Sequence, residues 1–277
     1  MSECTHNCST CSSNCSGGEF HRDESLMEKL IPGASVRKVI AVVSGKGGVG
    51  KSMVTGLLAA ETQRRGFRAA ILDADLTGPS IPREFGVTGR MLAQENYMLP
   101  VTTPGGIQMV SMNLLLDKPD EPVLWRGPVI AGVVAQFWSE VMWNDVDYMF
   151  IDLPPGTGDV PLTVMQGLPL DGIVIVSSPQ DLVGMIVEKA VKMADMMKVP
   201  VLSLVENMSY FICPSCGGIH EIFGASQAEA LAHKYGIKSF IRLPINPDAA
   251  RLVDEGKIDQ IDCDYVSALA DTVLGQI

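Results

Sequence analysis

At 277 residues, with 47% apolar side chains and a slightly positive mean hydropathy, the chain is long enough for one α/β domain with a real core plus a tail. A formal charge of −11 argues against nucleic acid or an anionic membrane as the main partner, because both demand basic surface. No run approaches the roughly 18 apolar residues that span a bilayer, and the polar N-terminus lacks the apolar stretch of a secretory signal, so a cytoplasmic protein is expected.

The first 35 residues differ from everything after them. Met1 to Gly18 is almost entirely Cys, Ser, Thr, Asn and Gly, which cannot bury enough apolar surface to fold alone. Ser25 to Leu30 has the spacing of a short helix. The domain boundary is placed near Val36, giving a Cys-rich tail and linker over 1–35 and one folded domain over 36–277.

Val39 to Val43 is a short apolar, β-branched run that reads as a buried strand. It is followed by Gly45-Lys46-Gly47-Gly48-Val49-Gly50-Lys51-Ser52, which satisfies G-x-x-x-x-G-K-[ST], and then by helical spacing from Ser52 to Arg65. Strand, glycine loop and helix form an arrangement in which successive backbone N–H groups turn in around phosphate oxygens at a helix N-terminus. Lys51 is placed to reach the β- and γ-phosphates, and the Ser52 hydroxyl to complete a Mg²⁺ shell. Gly45 to Met53 are therefore the candidate nucleotide-binding residues.

Further along, Ala69 to Leu72 is a strand ending in Asp73-Ala74-Asp75. Ile107 to Met112 and Val123 to Trp125 are short strands, and Val129 to Trp143 a long helix. Tyr148 to Ile151 is a buried strand followed by Asp152, the form a Mg²⁺-holding acid takes at a strand tip. Leu153-Pro154-Pro155-Gly156-Thr157-Gly158-Asp159 is a stiff loop that can offer the Gly156 amide to a γ-phosphate. Then come a strand over Ile173–Val176, a helix over Leu182–Met197, and a strand over Val201–Val205 leading into Glu206-Asn207-Met208. A helix over Gln227–Tyr235, a strand at Phe240–Ile241, and helices near Ala249–Asp254 and Tyr265–Leu274 complete the order. This alternation implies a mostly parallel sheet with helices on both faces.

Lys46, a second lysine directly after the first loop glycine, makes K-G-G-V-G-K-S resemble the deviant Walker A loop of MinD, ParA, the nitrogenase iron protein and the Mrp/ApbC iron–sulfur carriers. In that family the extra lysine crosses a dimer interface to the other subunit's nucleotide, supplying positive charge in trans as an arginine finger does. Trp125-Arg126-Gly127-Pro128, the Asp152–Asp159 phrase, Glu206-Asn207-Met208-Ser209 and Cys213-Pro214-Ser215-Cys216 look like the Mrp/ApbC branch specifically. The likeness runs from about Val36 to Gly256 and departs at Gly256-Lys257-Ile258, where a proline is expected after the glycine. It implies catalytic roles for Lys46, Lys51, Asp152 and one acid of Asp73 and Asp75 that positions the attacking water or the Mg²⁺, with Asp75 favoured because it lies further into the loop. Asn207 takes the place of the family's adenine-reading residue, although Asn there is also an ordinary turn residue. By resemblance the protein is a homodimeric ATPase that binds [4Fe–4S] clusters and passes them to apo-proteins. The alternative is a zinc-stabilised positioning ATPase like ParA or MinD.

The seven cysteines fall into three groups. Cys213 and Cys216 form C-x2-C in a Pro/Gly-rich loop, with His220 as a possible third zinc ligand. Cys4, Cys8, Cys11 and Cys15 form C-x3-C-x2-C-x3-C, enough thiols for one [4Fe–4S] cluster or one zinc. Cys263, between Asp262 and Asp264, reads as structural. Two thiols per chain leave a four-thiolate site half complete, which a two-fold dimer resolves by bringing the same loop twice to its axis.

Overall fold

The computed structural model describes residues 27–75, 81–115, 127–180 and 185–277. In chain order it contains β1 (Val36–Ser44), α1 (Lys51–Arg64), β2 (Ala69–Asp73), the single turn α2 (Ile81–Glu84), and short strands β3 (Leu92–Ala93), β4 (Met98–Leu99) and β5 (Val101–Thr102). Next come β6 (Gln108–Ser111), α3 (Gly127–Ser139), β7 (Val146–Asp152), α4 (Asp159–Gly167), β8 (Gly172–Ser177) and α5 (Met185–Met196). The last third holds β9 (Val201–Ile212), β10 (Ile219–His220), α6 (Ala228–Tyr235), β11 (Phe240–Ile245), α7 (Pro247–Asp254) and α8 (Asp264–Leu274).

The main sheet runs β10-β9-β8-β1-β7-β2-β6-β5, with β11 also paired to β9. β6, β2, β7, β1, β8 and β9 pair in parallel along that order, as the βα alternation implies, while β5 and β10 join the two ends antiparallel. β1 lies between β7 and β8, so Val39 to Val43 is buried on both faces and needs the unbroken apolar run it has. Parallel strands carry all their carboxyl ends to one edge, and the site is built there. Register brings Val42, Asp152 and Asp73 side by side across β1, β7 and β2.

α1 is buried almost all round, with Leu57 and Leu58 fully inaccessible. Its Gly56 is in close contact with other elements: a Cβ there would stand 2.6 Å from Ile258 and 3.3 Å from Phe85. α7 begins at an Asn246 side chain that accepts from the Asp248 and Ala249 amides, with Pro247 pre-set in the first turn. Just beyond it, Lys257 donates its backbone N–H to Leu252 O at 2.8 Å. Proline has no such N–H, so the departure at Gly256-Lys257-Ile258 is matched by a helix-ending bond.

Several expectations change. The helix expected over Ser25–Leu30 is not formed at Met27 to Leu30; Ser25 and Leu26 lie outside the described residues. There the Glu28 N–H bonds Gly167 O, and the Trp138 indole bonds Glu28 O, so tertiary partners replace helical ones. The helix expected to reach Trp143 stops at Ser139, because Val141 bridges Met98 beside β4. The late strand does not stop at Val205 but continues to Ile212, held by β11 on one side and by β10 at its end. The strand at Val123–Trp125 and the start of the helix at Leu182 lie outside the described residues.

Candidate nucleotide site and thiol loop

The glycine loop leaves β1 at Ser44 and enters α1 at Lys51. Gly48 and Gly50 sit at φ of 81° and 80°, where a side chain would cost roughly 1–2 kcal/mol. At Gly50 a Cβ would also fall 2.2 Å from the Asn207 amide nitrogen. That nitrogen donates to Val49 O at 3.0 Å, so Asn207, buried within β9, braces the loop. Asn207 is thus a strand residue in contact with the nucleotide loop and not a turn residue. Lys46 is exposed, and its carbonyl accepts from the Ser44 hydroxyl at 3.0 Å. Met53 is half-buried in the first turn of α1. Gly156 N–H donates to Ser44 O at 2.7 Å, so presenting it to a phosphate requires that bond to open.

Inside the loop, Lys51 Nζ stands 2.8 Å from Asp152 Oδ1 and 3.2 Å from Asp75 Oδ2. Burial opposes the lysine's charge, yet the two acids outweigh it and hold its pKa above the ordinary value. Asp152 is fully buried, and burial raises its pKa while Lys51 and the Ser52 hydroxyl draw it down. Ser52 Oγ donates to Asp152 Oδ2 at 2.6 Å, and Thr55 Oγ1 to Oδ1 at 3.0 Å. A hydroxyl and a carboxylate oxygen this close, beside a phosphate cradle, are a hard-oxygen pair that suits Mg²⁺.

Asp73 and Asp75 are now distinguishable. Asp73 is buried at the end of β2, accepting from Ser111 Oγ at 2.8 Å and from the Asp75 amide at 3.2 Å. Burial, then the neighbouring Asp152 charge, pushes its pKa up to about 7. Asp75 lies in the loop beyond and meets the lysine head from the open side. Behind both, Glu84 of α2 is buried, and among the described residues its Oε2 has no hydrogen-bond partner. Burial, helped by Asp152 and Asp73, pushes its pKa up to about 8.

Cys213 directly follows β9, and the turn through Gly218 is closed by Cys213 N–H to Gly218 O at 2.9 Å and Gly217 N–H to Cys213 O at 2.8 Å. The Ser215 and Cys216 amides point at the Cys213 thiol and draw its pKa below the ordinary value. Cys216 is exposed. A Cβ on Gly218 would lie 3.3 Å from Cys216 Sγ and 3.4 Å from His220 Nε2, so the three groups flank one turn. Nevertheless, among the described residues no cluster of three His, Cys, Asp or Glu side chains is arranged to hold a metal ion. The described part of one chain brings two thiols to this turn and not a complete site. Cys263 is half-buried against the core at the head of α8. Cys4, Cys8, Cys11, Cys15, Trp125 and Arg126 lie outside the described residues.

Sequence reasoning missed Thr55 and Glu84. Thr55 stands one helical turn after Lys51, a spacing that puts both on one face and was legible in principle. Glu84 carries no local signal, since its place beside Asp73 and Asp152 arises only when α2 folds under α1. No helix among the described residues is long and apolar enough to cross a membrane.

Comparison with known proteins now bears on this geometry. A family model described as the NUBPL iron-transfer P-loop NTPase matches residues 35–274. The chain is 44% identical over 234 residues to an iron-sulfur cluster carrier protein of Clostridium perfringens, covering 82% of each chain. A nucleotide-binding protein from Archaeoglobus fulgidus, solved in complex with ADP, superposes with a TM-score of 0.75 at 45% identity, covering 83% of this chain and 90% of that one. The cell division ATPase MinD of Pyrococcus furiosus, at 18% identity and a TM-score of 0.57, covers 86% of this chain and 97% of its own, and shares the fold.

Proposed function

Since the chain belongs to the NUBPL iron-transfer P-loop NTPase family, we propose that it is an ATP-hydrolysing carrier of [4Fe–4S] clusters. It works as a homodimer and passes the cluster to apo-proteins. The observation that carries this reading is the thiol loop. Cys213 and Cys216 stand at a hairpin tip, Cys213 is eased toward thiolate by two amides, and a second copy is needed to complete four ligands. The named relative is itself an iron-sulfur cluster carrier protein.

The residues divide the hydrolytic work. The loop amides and the α1 N-terminus receive the phosphates, and Lys51 moves from its acids toward the β- and γ-oxygens. Ser52 and Asp152 would hold Mg²⁺, which supplies positive charge against the phosphate oxygens when bound. Asp75, released by Lys51, orients the attacking water, whose oxygen bonds to the γ-phosphorus as the bond to the β–γ bridging oxygen breaks, giving ADP and phosphate. Lys46, exposed at the loop's rim, reaches the partner subunit's nucleotide and meets the charge that develops there. Asn207 keeps the loop in register and flanks the base side of the site. Within the tail, Cys4, Cys8, Cys11 and Cys15 make a second metal-binding set that holds a cluster or zinc.

The test is transfer. The full chain, reconstituted anaerobically with iron and sulfide, should activate an apo-protein that requires a [4Fe–4S] cluster. Iron should leave one protein as it enters the other. A chain that binds zinc in place of iron, and transfers none, would contradict the reading.

A further inference from the structure

β9 is a single strand with two jobs. Its first part, up to Glu206, pairs with β8 inside the sheet, and Asn207 follows against the nucleotide loop. Its last residues, Tyr210 to Ile212, pair with β11 and β10 and deliver the chain to Cys213. Between the two, Met208 has a φ of 55°, a left-handed conformation that is rare for a side chain of this size within a strand. The pairing of β11 with β9 shifts register at the same place, between Arg242 and Pro244. The strand is therefore bent between the residue that touches the nucleotide loop and the arm that carries the thiols.

One side chain spans the bend. Arg242 of β11 donates through Nε to Ser209 Oγ at 2.7 Å and lies 3.5 Å from Glu206 Oε2, on the sheet side. Ser209 itself donates to Glu206. Through Nη2 the same guanidinium bonds Glu221, just past β10 on the thiol arm. Its Cζ lies over the Tyr210 ring, 5.5 Å from the centroid. Glu206 is fully buried, and among the described residues its Oε1 has no hydrogen-bond partner, so the Arg242 charge is what that carboxylate has to answer it. Glu221, in contrast, is exposed, and an ion pair there adds little to stability. Its bond to Arg242 fixes direction more than it holds the fold. A planar fork that fills both sides of a bend sets the angle between them.

We infer that Arg242 is a positioning residue, clamping Glu206 to Glu221 across the Met208 bend so that the state of the nucleotide loop, felt through Asn207, sets the disposition of the Cys213–Cys216 arm. The inference deepens the carrier reading and rests on it for its purpose. Its test uses the cluster-free chain, so the two stand or fall separately.

The experiment is peptide-resolved alkylation of Cys213 and Cys216 in the full, cluster-free chain, with ADP, with a non-hydrolysable ATP analogue, and with neither. Light scattering follows the oligomeric state, so that shielding by a second copy is recognised. The wild-type thiols should change rate by roughly fivefold or more between nucleotide states, the scale of an ordinary coupling between sites. Glu221→Gln removes only the exposed half of the clamp and should reduce that response to less than about twofold. ADP affinity and oligomeric state should be unchanged. Arg242→Gln should do the same; if the buried Glu206 charge it leaves unpaired unfolds it, Glu221→Gln decides alone. A wild-type response retained in Glu221→Gln overturns the inference. So does a wild-type chain whose thiols ignore nucleotide, or a lost response that merely follows a change in oligomeric state.

Discussion

Lys51 Nζ lies 2.8 Å from Asp152 Oδ1, joining the first residue of α1 to the last residue of β7 in a buried pair. The lysine that phosphates attract is thus held, before they arrive, by the acid proposed to hold Mg²⁺. Lys51→Ala should abolish hydrolysis, because the γ-phosphate loses its charge partner. It should also destabilise the nucleotide-free chain by about 3–5 kcal/mol at pH 8, since Asp152 is left buried and unpaired. The loss should shrink at pH 5, where Asp152, already biased toward protonation, takes up a proton more readily. Thermal unfolding at the two pH values checks this; a variant as stable as its parent at pH 8 would contradict it.

Glu84 makes a pH prediction of its own. Its folded pKa of about 8 lies above the ordinary 4.5, so the folded chain binds a proton that the unfolded chain releases. That contribution to stability is complete below about pH 4.5 and is lost as pH rises through about 8. Asp73, raised from 3.8 to about 7, acts in the same direction over a slightly lower range. Glu84→Gln mimics the protonated form, so it should melt several degrees above the parent at pH 8.5 and gain less at pH 5.5. A difference from the parent that is the same at pH 5.5 and pH 8.5 would show that the carboxyl is already charged in the fold at the lower pH.

Gly50 and Asn207 should behave as a pair. Gly50→Ala should cost at least tenfold in ADP affinity, from left-handed strain and the clash with the Asn207 amide. Adding Asn207→Ala removes the clash but leaves the strain, so the double variant should recover part of that loss. Strictly additive losses, measured by calorimetry, would show that the two residues do not meet.

Lys46 tests the dimer from the nucleotide side. Being exposed at the rim of the loop, it should be replaceable by alanine with unchanged melting temperature and ADP binding. Hydrolysis should fall by 10³-fold or so, the scale of a charge supplied in trans. Near-normal turnover would remove its role across the interface.

Much of this was legible in the chain. The run Val39 to Val43, the eight-residue glycine motif and the acids after apolar runs are local patterns with local causes, and the sheet placed them along one edge. Asn207 is legible as a candidate just past a strand, with a turn as the alternative, because the strand continues only through pairing with β11 and β10, which lie later in the chain. Glu84, Ser111 and the bend at Met208 had no local pattern at all. They belong to contacts between distant segments, and no window of the sequence contains both sides.

The central claim is that Cys213 and Cys216 of two copies share one cluster. It is tested most directly by counting iron and protein mass together in a full chain with Cys4, Cys8, Cys11 and Cys15 changed to serine, reconstituted anaerobically. The account predicts about four irons per dimer. It also predicts that Cys213→Ser in this background loses them while ADP binding is retained. A monomer that holds a full cluster, or a Cys213→Ser chain that keeps its iron, would contradict it.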